Sequence, residues 1–175
     1  KKNNSFLKSY KNLNVLVTGS TGFKGAWLSY WLSLVGANVI GVGLKPEKGS
    51  IIFNSLNLGK KIRQYFIDIK DFKKINHIIK KEKPDIIFHL AAQSIVSLSF
   101  LKPLETFETN ILGSTNILES VRINRIPNLV YITSDKCYLN LNKSSSFKET
   151  DVLGGIDNYS SSKASAELIF ASYFQ

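Results

Sequence analysis

The stretch from Val15 to Gly25 constrains this chain more than any other. Val15-Leu16-Val17 is a short apolar run that reads as a buried strand. It ends at three glycines, Gly19, Gly22 and Gly25, spaced G-x-x-G-x-x-G. Trp27, Leu28, Trp31, Leu32 and Val35 then repeat at helical spacing, and Gly36 is a natural stop. A strand that bends through glycines into a helix makes a phosphate cradle. The first glycine lets the chain turn sharply. The second removes a Cβ where a pyrophosphate must approach, and the third lets the helix lie close to the sheet. The helix start offers free N–H groups and a positive dipole end. A lone glycine triplet marks only a tight turn; the flanking strand and helix make this one a cofactor turn.

The rest of the chain repeats the strand–helix alternation. Strands are expected at Asn38 to Gly43, Gln64 to Ile67, Asp85 to Leu90 and Asn128 to Thr133, with residues 45–60 loop-like. Phe72, Ile75, Ile78 and Ile79 mark a helix that Pro84 ends. A long helix starts near Pro103 with Phe107, Ile111, Ser114, Leu118 and Val121 on one stripe. A last helix runs around Tyr159 to Phe174. Continuous apolar strands alternating with helices imply an α/β fold: a doubly wound, Rossmann-type parallel sheet with helices on both faces.

The ends of the strands carry the candidate chemistry. Tyr159 and Lys163 lie four residues apart on one helix and share a face. A phenol is a poor base at neutral pH, and a neighbouring ammonium favours its phenolate. With the glycine turn, the pair points to a nicotinamide-cofactor enzyme whose acid–base group is a tyrosine. Thr133-Ser134-Asp135-Lys136 closes the fifth strand, and Ser134 would hydrogen-bond a substrate hydroxyl beside Tyr159. A polar turn with an Asp cap is the plainer alternative for this stretch. His89, at the end of the fourth strand, reads as a packed residue rather than a catalyst. The second strand ends in Gly43-Leu44-Lys45 without an acid. Lys45 and Lys48 either favour a 2′-phosphate or are exposed loop lysines, so NAD and NADP both stay open. Asp68 suits either an adenosine contact or, like Asp71, a helix cap.

Composition narrows the class. The net charge is +10, but the lysines are scattered, as at Lys60, Lys73, Lys80 and Lys102, so nucleic acid is not an expected partner. An anionic sugar nucleotide would also suit a positive field. No apolar run reaches the roughly 18 residues of a membrane span, and no membrane association is expected. The single cysteine, Cys137, excludes an intramolecular disulfide and a Cys-based zinc cluster, and no metal is expected. A reduced, cytoplasmic location is the default. The chain starts without Met and stops inside an apparent helix, so residues 1–175 are expected to be the dinucleotide-binding domain of a longer protein whose substrate domain lies beyond Gln175.

The glycine turn resembles the TGxxGFxG motif of the extended short-chain dehydrogenase/reductase family. The resemblance runs from about Asn14 to Tyr173 and comes nearest the CDP-glucose 4,6-dehydratases. It is carried by Thr21-Gly22-Phe23-Lys24-Gly25 with Trp27-Leu28, Phe88-His89-Leu90-Ala91-Ala92-Gln93, Glu105 to Asn110, Thr133 to Tyr138 and Leu153-Gly154-Gly155. It implies that Gly19, Thr21, Gly22, Phe23, Lys24, Gly25, Asp68, Ile69, Leu90, Ala91, Ala92, Gln93, Thr109, Thr133, Tyr159 and Lys163 bind the cofactor. It implies a sugar 4-hydroxyl oxidised with Tyr159 as base, water lost across C5 and C6, and a cofactor that ends unchanged. Asp135 would be the acid for the departing 6-hydroxyl. Lys136 is either the C5 base or a stabiliser of the enolate. Relatives of this kind commonly form homodimers through the long helix and the Tyr159 helix. Departures are Ser94 and Ser97 where Pro and Arg are expected, Asn158 for a Pro, and Lys45 for an Asp. The rival readings are a sugar-nucleotide 4-epimerase or reductase, and a non-catalytic NAD(P)-binding domain.

Overall fold

The computed structural model describes residues 9–46, 51–140 and 145–175. Five strands, β1 (Asn14–Thr18), β2 (Asn38–Gly43), β3 (Arg63–Phe66), β4 (Ile86–His89) and β5 (Leu129–Tyr131), form one sheet in the order β3-β2-β1-β4-β5. Each pairing is parallel. Parallel neighbours need crossovers, and the helices supply them. They are α1 (Phe23–Leu34), α2 (Ile51–Ser55), α3 (Leu58–Lys61), α4 (Phe72–Glu82), α5 (Val96–Leu101), α6 (Pro103–Phe107), α7 (Ser114–Asn124) and α8 (Asn158–Phe174). The doubly wound arrangement expected from the alternation is the one found.

Strand alternation explains how one short run serves two cores. Leu16 of β1 packs on one face with Ile40, Ile87, Ile75 and Ile79 of α4, and Ile117 of α7. Val15 and Val17 point the other way and pack with Val39 and with Leu32 of α1. Each of these β1 side chains is at most 1% exposed. Burying a side chain of this size is worth roughly 1.5–3 kcal/mol, so the central strand anchors both layers. Among the described residues, no helix is long and apolar enough to cross a membrane.

Three local readings change. The expected 45–60 loop contains α2 and α3, whose Phe53 and Leu58 are buried against Ala26 of α1. Two tight turns of helix hide two large side chains that an open loop would leave in water. The expected long helix does start at Pro103, as α6 after the separate short α5, but a π-helical segment, Glu108–Gly113, interrupts it between α6 and α7. The wider turn resets the phase, so Thr106, Asn110, Gly113 and Ser114 are buried while Phe107 and Ile111 are half-buried. In α1 the face against the sheet is Gly25, Ala26, Ser29 and Leu32, and Trp27 is 46% exposed. The cause is proximity. A Cβ on Gly25 would lie 2.1 Å from the Gly19 carbonyl oxygen, so only small side chains fit beneath the first turns.

Gly25→Ala therefore meets backbone that has no rotamer to escape into. Overpacking of this kind costs about 3 kcal/mol. A urea midpoint well below that of the unmodified protein is expected; an unchanged midpoint would show that α1 can lift from the turn.

Candidate active-site crevice

In this strand order the chain leaves β1 toward β2 on one side and reaches β4 on the other. The carboxyl ends of β1 and β4 thus form the switch point at which open α/β sheets bind ligands. A crevice of about 420 Å³ opens there, within the range of ligand sites. Its floor is drawn tight. Gly19 has φ +71°, and a Cβ on it would lie 2.9 Å from the Ala91 backbone nitrogen.

One hydroxyl organises that floor. Thr18 Oγ1 accepts from the backbone N–H groups of Leu90 and Ala91, both at 3.1 Å, and contacts His89 Nδ1 at 2.7 Å. Two N–H donors occupy both lone pairs of the hydroxyl, so its own proton goes to His89 Nδ1. His89 then carries hydrogen on Nε2 and donates it to Ser114 Oγ at 2.9 Å. Burial, aided by the Lys163 charge, lowers the His89 pKa to about 3. His89 is thus a neutral buried brace, in keeping with the packed role expected from sequence.

The residues fit a dinucleotide. At one end α1 begins without a side-chain cap and without an acid in its first turn, so its leading N–H groups stay available to phosphate oxygens. Thr21, Gly22, Phe23, Lys24 and Gly25 line this part with Gly19. A second end lies between Gly43, Leu44 and the loop Ile67-Asp68-Ile69-Lys70. Asp71 caps α4 by accepting from the Lys74 N–H, whereas Asp68 accepts from the Lys70 N–H and stands at the crevice. Of the two acids that sequence offered as caps, Asp71 holds that position. Lys45 is exposed beyond Leu44, and Lys48 lies outside the described residues.

The third end carries Leu90, Ala91, Ala92, Thr109, Thr133, Tyr159 and Lys163. Asp157 caps α8 by accepting from the Ser160 N–H and hydroxyl. Tyr159 and Lys163 occupy the first two turns and are 8% and 6% exposed. Burial lowers the Lys163 pKa to about 8; the Glu167 charge opposes the shift and the Lys24 charge adds to it. An ammonium half-stripped of water beside a phenol is suited to holding a phenolate.

Some expected residues stand apart from the crevice lining. Gln93 turns its side chain to Thr106 Oγ1 and to the Ile95 backbone. Its own backbone is clamped by Asn110, which also bonds Ser162 of α8. Gln93 and Asn110 tie the β4 extension to two helices instead of facing the cavity. Ser134 bonds Asp135 Oδ1 at 2.9 Å and caps the short 3₁₀ turn Asp135–Cys137. Asp135 and Lys136 are exposed and do not line the crevice. Sequence reading overlooked Gly43, Leu44, Lys70, Glu105 and Ile132 in the lining. It also overlooked Glu167, which accepts from Thr133 Oγ1. Its signal was its position one helical turn after Lys163.

Comparison with known proteins follows from this geometry. A model of the family described as GDP-mannose 4,6 dehydratase matches residues 16–175. The chain is 41% identical to the CDP-glucose 4,6-dehydratase of Salmonella typhimurium over 165 residues, which are 94% of this chain and 46% of that protein. It therefore spans about half the length of the curated relatives it matches. Among solved structures it resembles UDP-glucose 4-epimerase of Thermotoga maritima, determined with UDP-glucose, with TM-score 0.81, 29% identity, and coverage of 92% of this chain and 51% of that one. It also resembles the UDP-glucose 4-epimerase of Thermus thermophilus in complex with NAD, with TM-score 0.79, 26% identity, and coverage of 92% and 50%.

The neutral His89 gives stability a pH dependence. The unfolded chain takes up a proton near pH 6.5, and the folded chain does so only near pH 3. Stability is then full above pH 6.5 and falls as pH drops, by roughly 1 kcal/mol per unit. Urea unfolding between pH 7 and pH 5, above most carboxylate titrations, is expected to show this decline. A flat profile would mean that His89 is accessible to protons in the folded state.

Proposed function

The chain belongs to the family described as GDP-mannose 4,6 dehydratase, and from that premise we propose that it is the cofactor-binding half of a sugar-nucleotide 4,6-dehydratase acting on CDP-glucose. The observation that carries the reading is the meeting of Tyr159 and Lys163 with the glycine turn in one crevice. The likeness to the Salmonella CDP-glucose dehydratase supports the nucleotide and the reaction. The Thermus neighbour in complex with NAD supports NAD as the cofactor. The residues that hold the nucleotide moiety of the substrate are proposed to lie outside residues 1–175.

When bound, the nicotinamide supplies a reversible two-electron acceptor. The remaining work falls to the protein. Tyr159, as phenolate, takes the proton of the sugar 4-hydroxyl, and Lys163 holds the phenolate charge. Ser134 bonds the 4-oxygen and fixes its lone pairs for the transfer. The 4-ketone acidifies the C5 proton. Asp135 donates the proton to the departing 6-hydroxyl, which leaves as water. Lys136 stands next to it, to remove the C5 proton or to stabilise the enolate. The exposure of Asp135 and Lys136 fits residues that a sugar bound over the crevice would cover. A homodimer is part of the proposal, supported by the exposed Phe100, Leu101, Leu104, Leu112 and Leu168 on the α5–α8 side. So is a cytoplasmic location, supported by the lone buried thiol.

The test uses the full-length protein with NAD and a panel of nucleotide-glucoses, followed by mass spectrometry for loss of water. CDP-glucose is expected to lose water. Tyr159→Phe should lower turnover by a factor on the order of 10²–10⁴. Asp135→Asn should depress water loss far more than exchange of solvent hydrogen at C5. Wild-type turnover in Tyr159→Phe would refute the assignment, and 4-epimer without water loss would favour the epimerase reading.

A further inference from the structure

At its third end the crevice is lined by two elements far apart in sequence: the segment after β5, with Thr133 next to Ser134, and the first turns of α8, with Tyr159 and Lys163. A side-chain hydrogen bond joins them. Thr133 Oγ1 donates to Glu167 Oε1, and Glu167 lies on α8 one turn beyond Lys163. We infer that Glu167 is a positioning residue for the reaction, fastening the β5 end to α8 through Thr133 and keeping the buried Lys163 as an ammonium. The inference rests on the functional reading above and deepens it.

Two independent observations converge on Glu167. The first is the tether: Thr133 lines the crevice beside Ser134, so the bond sets the spacing between the group that orients the substrate oxygen and the pair that takes its proton. The second is charge. Lys163 is 6% exposed, and an ammonium so buried loses much of its hydration. The charges that act on it come from several elements: Glu167 on α8, Lys24 on α1 and Cys137 in the 3₁₀ turn, while His89 on β4 feels the Lys163 charge in turn and Tyr159 lines the same crevice. Lys24 opposes the ammonium, His89 is neutral, and the thiol of Cys137 is pushed up by burial. Glu167 is the largest of the charges that favour the ammonium. The same carboxylate also helps to raise the phenol of Tyr131 and the thiol of Cys137, after burial. Its field therefore reaches across the β5 end and not along α8 alone.

The test separates charge from tether. Glu167→Gln keeps an acceptor oxygen for Thr133 but removes the charge. Thr133→Val removes the tether and keeps the charge. The Lys163 titration is followed by NMR in protein carrying carbon-labelled lysine, with Lys163→Met to identify its signal, and needs no turnover. In Glu167→Gln the Lys163 midpoint, near 8 in the unmodified protein, is expected to move down by about one pH unit, and the basic limb of the kcat profile should move with it. In Thr133→Val the midpoint should stay within about half a unit, while kcat falls by on the order of 10-fold from misplaced Ser134. An unmoved Lys163 midpoint in a folded Glu167→Gln protein overturns the inference, as does a Thr133→Val protein with unchanged kcat. If the unmodified protein turns over no sugar nucleotide, the functional reading falls, and the lysine titration still decides the electrostatic role of Glu167.

Discussion

A single hydroxyl, Thr18 Oγ1, joins the two strand ends between which the crevice opens. By accepting from Leu90 and Ala91 it pulls the β4 extension under the glycine turn, and by donating to His89 it fixes the ring that braces Ser114 of α7. Without this bond two half-buried N–H groups and a buried ring nitrogen lose their partner, at a cost of about 1–3 kcal/mol for the ring nitrogen alone. The close approaches of Gly19 to Ala91 and of Gly25 to Gly19 lie directly beside this bond. The phosphate cradle and the small-residue floor are therefore one structure held at one point.

The Tyr159–Lys163 end of the crevice depends on a second constraint, the depth at which α8 delivers Lys163. Asp157 starts the helix, Ser162 is held by Asn110, and Tyr131 stacks on Phe170 at 5.0 Å. These contacts keep Lys163 buried, and burial lowers its affinity for a proton. A lysine poised near neutrality is sensitive to each charge around it, which gives Lys24 and Glu167 opposite leverage on the same group. An ammonium in open water would feel neither strongly.

Much of this was legible in the sequence because it rests on local rules. β1, the glycine bend, β2 and the Tyr159 helix follow from apolar runs and glycine spacing, and they fall within a residue or two of expectation. What escaped depends on contacts between distant segments. The exposure of Trp27 follows from how closely α1 meets Gly19, a distance absent from helical periodicity. The π-helical turn at Glu108–Gly113 shifts a stripe that a 3.6-residue period extends unbroken. Gln93 carries the right chemistry to face a ligand, yet Thr106 and Asn110 turn it aside. Glu167 gained meaning only when Thr133 was found beside it.

In the proposed reaction the crevice at the carboxyl edge oxidises a sugar at C4 and passes the same hydrogen to C6. Full-length protein with NAD and CDP-glucose deuterated at C4 tests it directly, with the product read by mass spectrometry and NMR. The expected product is lighter by one water and carries the deuterium on C6. A product that keeps its water, or that holds the deuterium at C4, would contradict it.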